Sequence, residues 1–355
     1  MSEPSRTEQR KAEHVDIILK EDVSAEHDYW SDVHLVHDAL PEVDYDEVDV
    51  SATLLGRKLA APLVISSMTG GFGGGREINA NLAKAAAEVG VAMGVGSQRA
   101  ALEKPELADT YAVVKEYDVP LRFANLGAPQ LVRQGEKRAY GLEDARRAME
   151  MVDAHVLIVH LNFLQEIVQP EGDHRARGVL DAIGRLAAKV PVMAKETGAG
   201  VSREVALRLK RAGVKAIDVG GLGGTSFSAV EYYRAKKDAA TTKERLGATF
   251  WNWGIPTPAS VQLANVGLPI VATGGVRSGH DVAKALVLGA SAAGMAKPML
   301  EAAKESAEAV ARELRAVIEE LKAAMFLTGS LTLKDLGART AIVARPTADW
   351  LEAAP

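Results

Sequence analysis

Eight short runs of almost unbroken apolar residues punctuate this chain, at 62–66, 92–97, 121–127, 156–162, 191–197, 216–221, 269–275 and 291–298. Each is bounded by glycine or polar turn residues, and none alternates apolar with polar. Such runs suit parallel strands covered on both faces. Segments of helical periodicity separate them, among them 78–89, 143–152, 178–189, 202–212, 258–265 and 280–288. Eight strands alternating with helices predict an α/β protein of the (β/α)8 TIM-barrel class. The rival is a doubly wound open sheet. Against it, no G-x-G-x-x-G follows the first run, and polar residues stand at the ends of all eight, which share one mouth only in a barrel.

Three segments fall outside the repeat. Residues 1–60 form an N-terminal extension rich in His, Asp and Glu, and 225–266 is a long insertion between strands six and seven. Residues 300–324 read as a surface helix of alternating charge. The 355 residues are therefore expected to form one domain, comprising the extension (1–60), the barrel (61–300) and a C-terminal helical segment (301–355). The absence of cysteine excludes disulfides, thiolate metal sites and a cysteine nucleophile. A net charge of −5 offers no basic field for nucleic acid. The polar N-terminus, and the lack of any apolar run of about 18 residues, predict a cytoplasmic protein with no membrane span.

The strand ends carry the chemistry. Ser66-Ser67-Met68-Thr69-Gly70-Gly71 ends strand one, where glycines let backbone N–H groups approach a flat or anionic ligand. Thr273-Gly274-Gly275-Val276-Arg277 and Gly294-Met295-Ala296-Lys297 end strands seven and eight, the usual phosphate position in barrels. His160 and Asn162 share a face of strand four, with Gln165 and Glu166 following; a carboxylate there can hold Mg²⁺ together with substrate phosphates. His160 alone would fit a core histidine equally well. Lys195 ends the otherwise apolar strand five, so it needs an anionic partner; a ligand contact or a Schiff-base role both fit. Ser97-Gln98-Arg99, Asn125 and Gly223-Gly224-Thr225-Ser226 end strands two, three and six. By composition alone Arg10-Lys11-Ala12-Glu13-His14 is a solvated helix start, and His34 and His37 are structural.

In this order the motifs resemble the type 2 isopentenyl-diphosphate isomerases, over nearly the whole chain. The specific part is His160-x-Asn162-x-x-Gln165-Glu166 together with Arg10-Lys11-x-x-His14; the glycine-rich loops are shared by many FMN barrels. The resemblance implies a homo-oligomer (tetramer, or octamer) that binds FMN and Mg²⁺ and interconverts isopentenyl diphosphate and dimethylallyl diphosphate. The flavin works reduced, with NAD(P)H as reductant. By position, Ser67, Met68, Thr69, Ser97, Asn125, Lys195, Thr225, Gly275, Val276, Arg277, Ala296 and Lys297 would hold FMN. Arg10, Lys11, Ser97, Gln98, Arg99, His160, Asn162 and Gln165 would hold substrate, and Glu166 the metal. Gln165, His160 and Lys195 would serve catalysis, and the extension would close over the mouth as a lid. Two departures from the pattern are Asn252, preceded by an additional tryptophan, Trp251, and Phe227 in place of a tryptophan.

Two other FMN-barrel chemistries fail on residues. A 2-hydroxy-acid oxidase needs a histidine base beside an arginine after strand six, where this chain has Gly221-Leu222-Gly223-Gly224-Thr225; an IMP-dehydrogenase-like reaction needs a cysteine. A flavin-binding sensor without turnover is the remaining reading from another class. It gives no reason for Gln165 and Glu166 to stand beside His160.

Overall fold

In the computed structural model, which describes residues 6–353, eight parallel strands close into a barrel. They are β1 (Leu63–Ile65), β2 (Ala92–Gly94), β3 (Arg122–Gly127), β4 (Val156–Leu161), β5 (Val192–Glu196), β6 (Ala216–Asp218), β7 (Ile270–Thr273) and β8 (Ala292–Met295). Each pairs with its neighbour in sequence, and β8 closes the ring onto β1. The strands are shorter than the apolar runs that foreshadow them, because the last residues of each run already belong to the loops at the mouth.

Period-two alternation sorts each strand between two cores. Val64, Phe123, Ile158, Met193, Ala216 and Val271 pack inside the barrel. Leu63, Ala124, Leu157, Val159, Ala194 and Ile217 pack outward against the helices. The inward positions one step further along are Ser66, Asn125, His160, Lys195, Asp218 and Thr273. The barrel interior is thus apolar below and polar above. An antiparallel hairpin, Ala52–Leu54 with Arg57–Leu59, sets Leu54 and Leu59 against the apolar layer and plugs that end. The polar layer is left as the floor of the open mouth.

The segments outside the repeat depart from expectation in two respects. The helix-periodic stretch from 300 onward is two helices, Lys297–Glu305 and Ala307–Phe326, so a boundary at 300 cuts the first of them. Ser306 breaks them with extended backbone, and its hydroxyl caps the second by accepting from the Ala309 N–H. The second helix lies at the surface as its alternating charge predicts: Val310, Leu314, Val317 and Leu321 pack into the outer core while Glu308, Arg312 and Arg315 stay exposed on the other face. The C-terminal segment is not wholly helical, since Ala341–Val343 pairs antiparallel with Val33–Leu35 of the extension. The insertion holds the helices Phe227–Lys237, Thr241–Thr249 and Thr257–Ala264.

Candidate active site at the barrel mouth

Helix α1 (Arg6–Lys20) crosses the open end, presenting Arg10, Lys11, His14, Val15 and Ile18 to a cavity of about 560 Å³. The spacing of three, four and seven from Lys11 puts these residues on one helical face. Its anchors are specific. Lys11 Nζ donates to the carbonyls of Gly70 and Ser97 and to the Tyr111 hydroxyl, each at 2.6 Å. His14 Nε2 lies 2.9 Å from Glu231 Oε1, and Glu13 pairs with Arg234 and Lys237. The Arg10–His14 segment is therefore a half-buried, paired face over the mouth and not the solvated helix start that composition alone suggests. Beyond α1 the chain is laced to the loop after β6: Ala25 N–H donates to Gly224 O, Ser226 N–H to Val23 O and Trp251 Nε1 to Ser24 O. Asn252 accepts from the Glu26 N–H at 3.0 Å, and the Trp30 indole donates to Gly274 O. The two sequence departures thus serve the extension: Asn252 and Trp251 fasten it, and Phe227 lines the cavity edge-on to His14.

Strand register builds the floor. Gly127, His160, Lys195 and Asp218 are consecutive partners across β3, β4, β5 and β6. Partners at one level of a parallel sheet point the same way, so Lys195 Nζ meets Asp218 Oδ2 at 2.9 Å, both groups buried. Asp218 is the anionic partner that a lysine at this depth requires. His160 Nδ1 lies 2.7 Å from Asn125 Oδ1, which fixes Nδ1 as the protonated nitrogen and leaves Nε2 as an acceptor. Burial, with Lys11, Lys195 and Arg10 nearby, brings the His160 imidazole down to about 3, so it is neutral. Burial and neighbouring Arg10 bring the Lys11 ammonium down to about 7.

The short helix α2 (Phe163–Val168) follows β4 and carries the acid–amide pair. Gln165 Nε2 donates to Glu231 Oε1 at 3.1 Å. Glu231, from helix α3 (Phe227–Lys237), also takes Arg234 Nη1 at 2.6 Å. Burial pushes Glu231 up, but His14 and Arg234 more than offset it and hold the carboxyl at about 2. Glu166 is buried, and burial raises its carboxyl above the ordinary range against the pull of the Asp173 N–H and Arg10.

Of the residues that the resemblance assigns to FMN, substrate, metal or catalysis, all but one line this single cavity: Arg10, Lys11, Ser67, Met68, Thr69, Ser97, Arg99, Asn125, His160, Asn162, Gln165, Glu166, Lys195, Thr225, Gly275, Val276, Arg277, Ala296 and Lys297. Gln98 is turned away. Its Nε2 donates to Ala148 O of an outer helix and its Oε1 accepts the Asn125 N–H, so it ties β2 to β3 from behind. Sequence reading missed Asp218, Tyr111, Glu231 and Asp173. Asp218 follows two apolar residues in its run, a signal parallel to that of Lys195; the others lie on helices and loops with no local mark.

The residues present fit a flavin phosphate and an isoalloxazine. Ser67 Oγ and Thr69 Oγ1 are buried at the cavity wall with no hydrogen-bond partner. A Cβ on Gly224 would come 2.7 Å from the Gly275 nitrogen, so only glycine lets the loops after β6 and β7 close side by side. For a metal, the described residues hold no cluster of three ligating side chains. A divalent ion here would take Glu166, beside the buried and unpartnered Asn162 Oδ1, and complete its shell with water and phosphate oxygens.

Fold and site together define a (β/α)8 barrel of the flavin-dependent class. A model of the FMN-dependent dehydrogenase family matches residues 19–116 and 179–343. An isopentenyl-diphosphate delta-isomerase from Thermoplasma volcanium is 50% identical over 345 residues, spanning 97% of this chain and 99% of its own. A second, from Methanosarcina mazei, is 47% identical, spanning 98% and 94%. Among solved structures, a mandelate oxidase with an FMN adduct superposes with TM-score 0.60 at 19% identity, covering 96% of this chain and 94% of its own. A Pediococcus acidilactici lactate oxidase gives 0.62 at 16%, covering 96% and 88%; these two share the fold. The chain belongs to the FMN-dependent, type 2 isopentenyl-diphosphate delta-isomerase family.

Proposed function

We propose that this protein interconverts isopentenyl diphosphate and dimethylallyl diphosphate in isoprenoid biosynthesis, in the cytoplasm, with reduced FMN, Mg²⁺ and NAD(P)H as reductant, as a homo-oligomer of four or eight chains. The observation that supports it best is the division of one cavity into two charged ends. Arg277 and Lys297 stand at the loops after β7 and β8, while Arg10, Lys11, Arg99 and Glu166 stand at the opposite side near β2 and β4. A flavin phosphate and a substrate diphosphate would each have a place.

The FMN set is Ser67, Met68, Thr69, Ser97, Asn125, Lys195, Thr225, Gly275, Val276, Arg277, Ala296 and Lys297. When bound and reduced, FMN supplies an electron-rich surface that stabilises positive charge at the reacting carbons and can carry a proton. Lys195, fixed by Asp218, would stabilise negative charge on a reduced flavin. Arg10, Lys11 and Arg99 bind the diphosphate, and Glu166 would hold a divalent metal, which would supply further positive charge to the phosphate oxygens. His160, neutral, accepts through Nε2. Gln165, held by Glu231, orients the hydrocarbon end for proton transfer. Helix α1 excludes water from the closed site.

The structural neighbours are hydroxy-acid oxidases, but residues 221–225 after β6 supply neither the histidine nor the arginine that oxidation of a hydroxy acid needs. The test is an anaerobic assay in D₂O with FMN, Mg²⁺ and isopentenyl diphosphate. Dimethylallyl diphosphate carrying deuterium should appear only once the flavin is reduced. Reduced, bound flavin with neither product nor exchange would remove the isomerase reading.

A further inference from the structure

Three consecutive residues after α2 converge on one residue, Glu166, two at its main-chain carbonyl and one at its carboxylate, without lining the cavity themselves. At Gly172 an added Cβ would lie 1.7 Å from the Glu166 carbonyl oxygen, so only glycine lets the chain turn there. Asp173 donates its backbone N–H to Glu166 Oε2 at 2.7 Å. His174 Nε2 lies 2.8 Å from the Glu166 carbonyl. The other carboxylate oxygen, Oε1, is held by Asn162 at 3.0 Å.

Asp173 also faces the other way. Its Oδ2 accepts from Arg99 Nη1 at 2.9 Å and from Gln130 Nε2 at 3.4 Å, and its Oδ1 accepts from Lys137 at 3.0 Å. The carboxylate is buried, and so is most of the Arg99 side chain. Arg99 comes from the loop after β2 and Glu166 from the helix after β4, and nothing in the local sequence relates them. Loop packing alone would not aim a main-chain donor and a carboxylate at two groups that line the cavity.

We propose that Asp173 is a positioning residue that sets the metal-binding carboxylate Glu166 and the diphosphate-binding guanidinium Arg99 at a fixed separation. The proposal rests on the reading of those two residues given above. A diphosphate bridged to a metal is recognised by both charges at once, so their spacing decides how much of the binding energy is realised.

The test uses the FMN-loaded protein and inorganic pyrophosphate with Mg²⁺, followed by calorimetry. Asp173→Asn keeps the backbone donor to Glu166 but removes one of the two carboxylates that hold Arg99, the other being Glu103 at 2.8 Å from Arg99 Nε on the outer side. It should weaken pyrophosphate about tenfold, the scale of a hydrogen bond to a charged group, and raise KM more than it lowers kcat. FMN affinity should not change. In an Arg99→Ala background the same substitution should cost nothing further, because the two act as one unit. Affinity within twofold of wild type, or equal losses in both backgrounds, would overturn the proposal. Should Asp173→Asn not fold, His174→Ala tests the same clamp; it should raise the Mg²⁺ needed for half-saturation by about threefold, and an unchanged requirement would overturn it. A wild-type protein that binds no pyrophosphate would sink the functional reading and this proposal with it. Wild-type binding with an indifferent Asp173→Asn removes Asp173 alone.

Discussion

Lys195 Nζ and Asp218 Oδ2 lie 2.9 Å apart at the ends of adjacent strands, one 8% and the other 2% exposed. Two opposite charges at this depth are stable only as a pair, since removing one leaves the other desolvated and uncompensated. Asp218→Asn should therefore destabilise the FMN-free protein by about 3 kcal/mol, read from denaturant unfolding. A loss well under about 1 kcal/mol would mean that the lysine finds water or another partner.

Lys11 gives a pH signature with a definite sign. Its ammonium is brought down to about 7 by burial and Arg10, so at pH 8 it is mostly neutral in the closed protein. The unfolded chain, with the ordinary value of 10.5, holds the proton throughout this window. Folding stability from this group consequently rises with pH between about 7 and 10.5. A diphosphate restores the charge, so pyrophosphate binding at pH 8 should take up close to one proton. Calorimetry in buffers of different ionisation heat measures this, and the uptake should vanish in Lys11→Met.

Ser67 and Thr69 have hydroxyls that are buried and without partners. An unsatisfied hydroxyl costs stability in the protein and is recovered by a ligand that bonds to it. Ser67→Ala should leave the FMN-free protein as stable as wild type, or slightly more so, while weakening FMN about tenfold. Flavin fluorescence titration decides it; equal FMN affinity would show that the hydroxyl does not meet the cofactor.

Glu231 couples helix α1 to the cavity wall through His14, Gln165 and Arg234. Glu231→Gln leaves the buried Arg234 with one fewer carboxylate and should loosen α1, so that amides in 6–20 exchange at least about tenfold faster while those of the barrel strands do not. Burial also holds the His14 imidazole below its ordinary value against the pull of Glu231. The unfolded chain therefore binds this proton first as pH falls below about 6.5, and the same exchange should quicken there in the wild type. Uniform exchange across α1 and barrel would show that the network serves overall stability only.

Much of this protein was legible in its sequence. Eight near-continuous apolar runs separated by helical periodicity determined the barrel, and polar residues at the ends of the runs marked its mouth, because parallel strands covered on both faces leave polar groups a place only at their ends. Lys195 was marked by its place in an otherwise apolar run, and His160 by the polar residues clustered after it. Tertiary structure decided what strand ends meet. Asp218 became the partner of Lys195 through register between β5 and β6, and Gln98 turned outward because the chain leaves the sheet after β2 and the alternation lapses. Likewise Ser306 split one helical pattern into two, since its hydroxyl offers a cap that periodicity does not register. The face of α1 that composition assigns to solvent is half-buried and paired because Glu231 and Tyr111, more than 90 residues further along, supply its counter-groups. Local pattern is fixed by steric rules acting over a few residues, whereas the pairing of buried charge depends on which distant groups the closed barrel brings within hydrogen-bond reach.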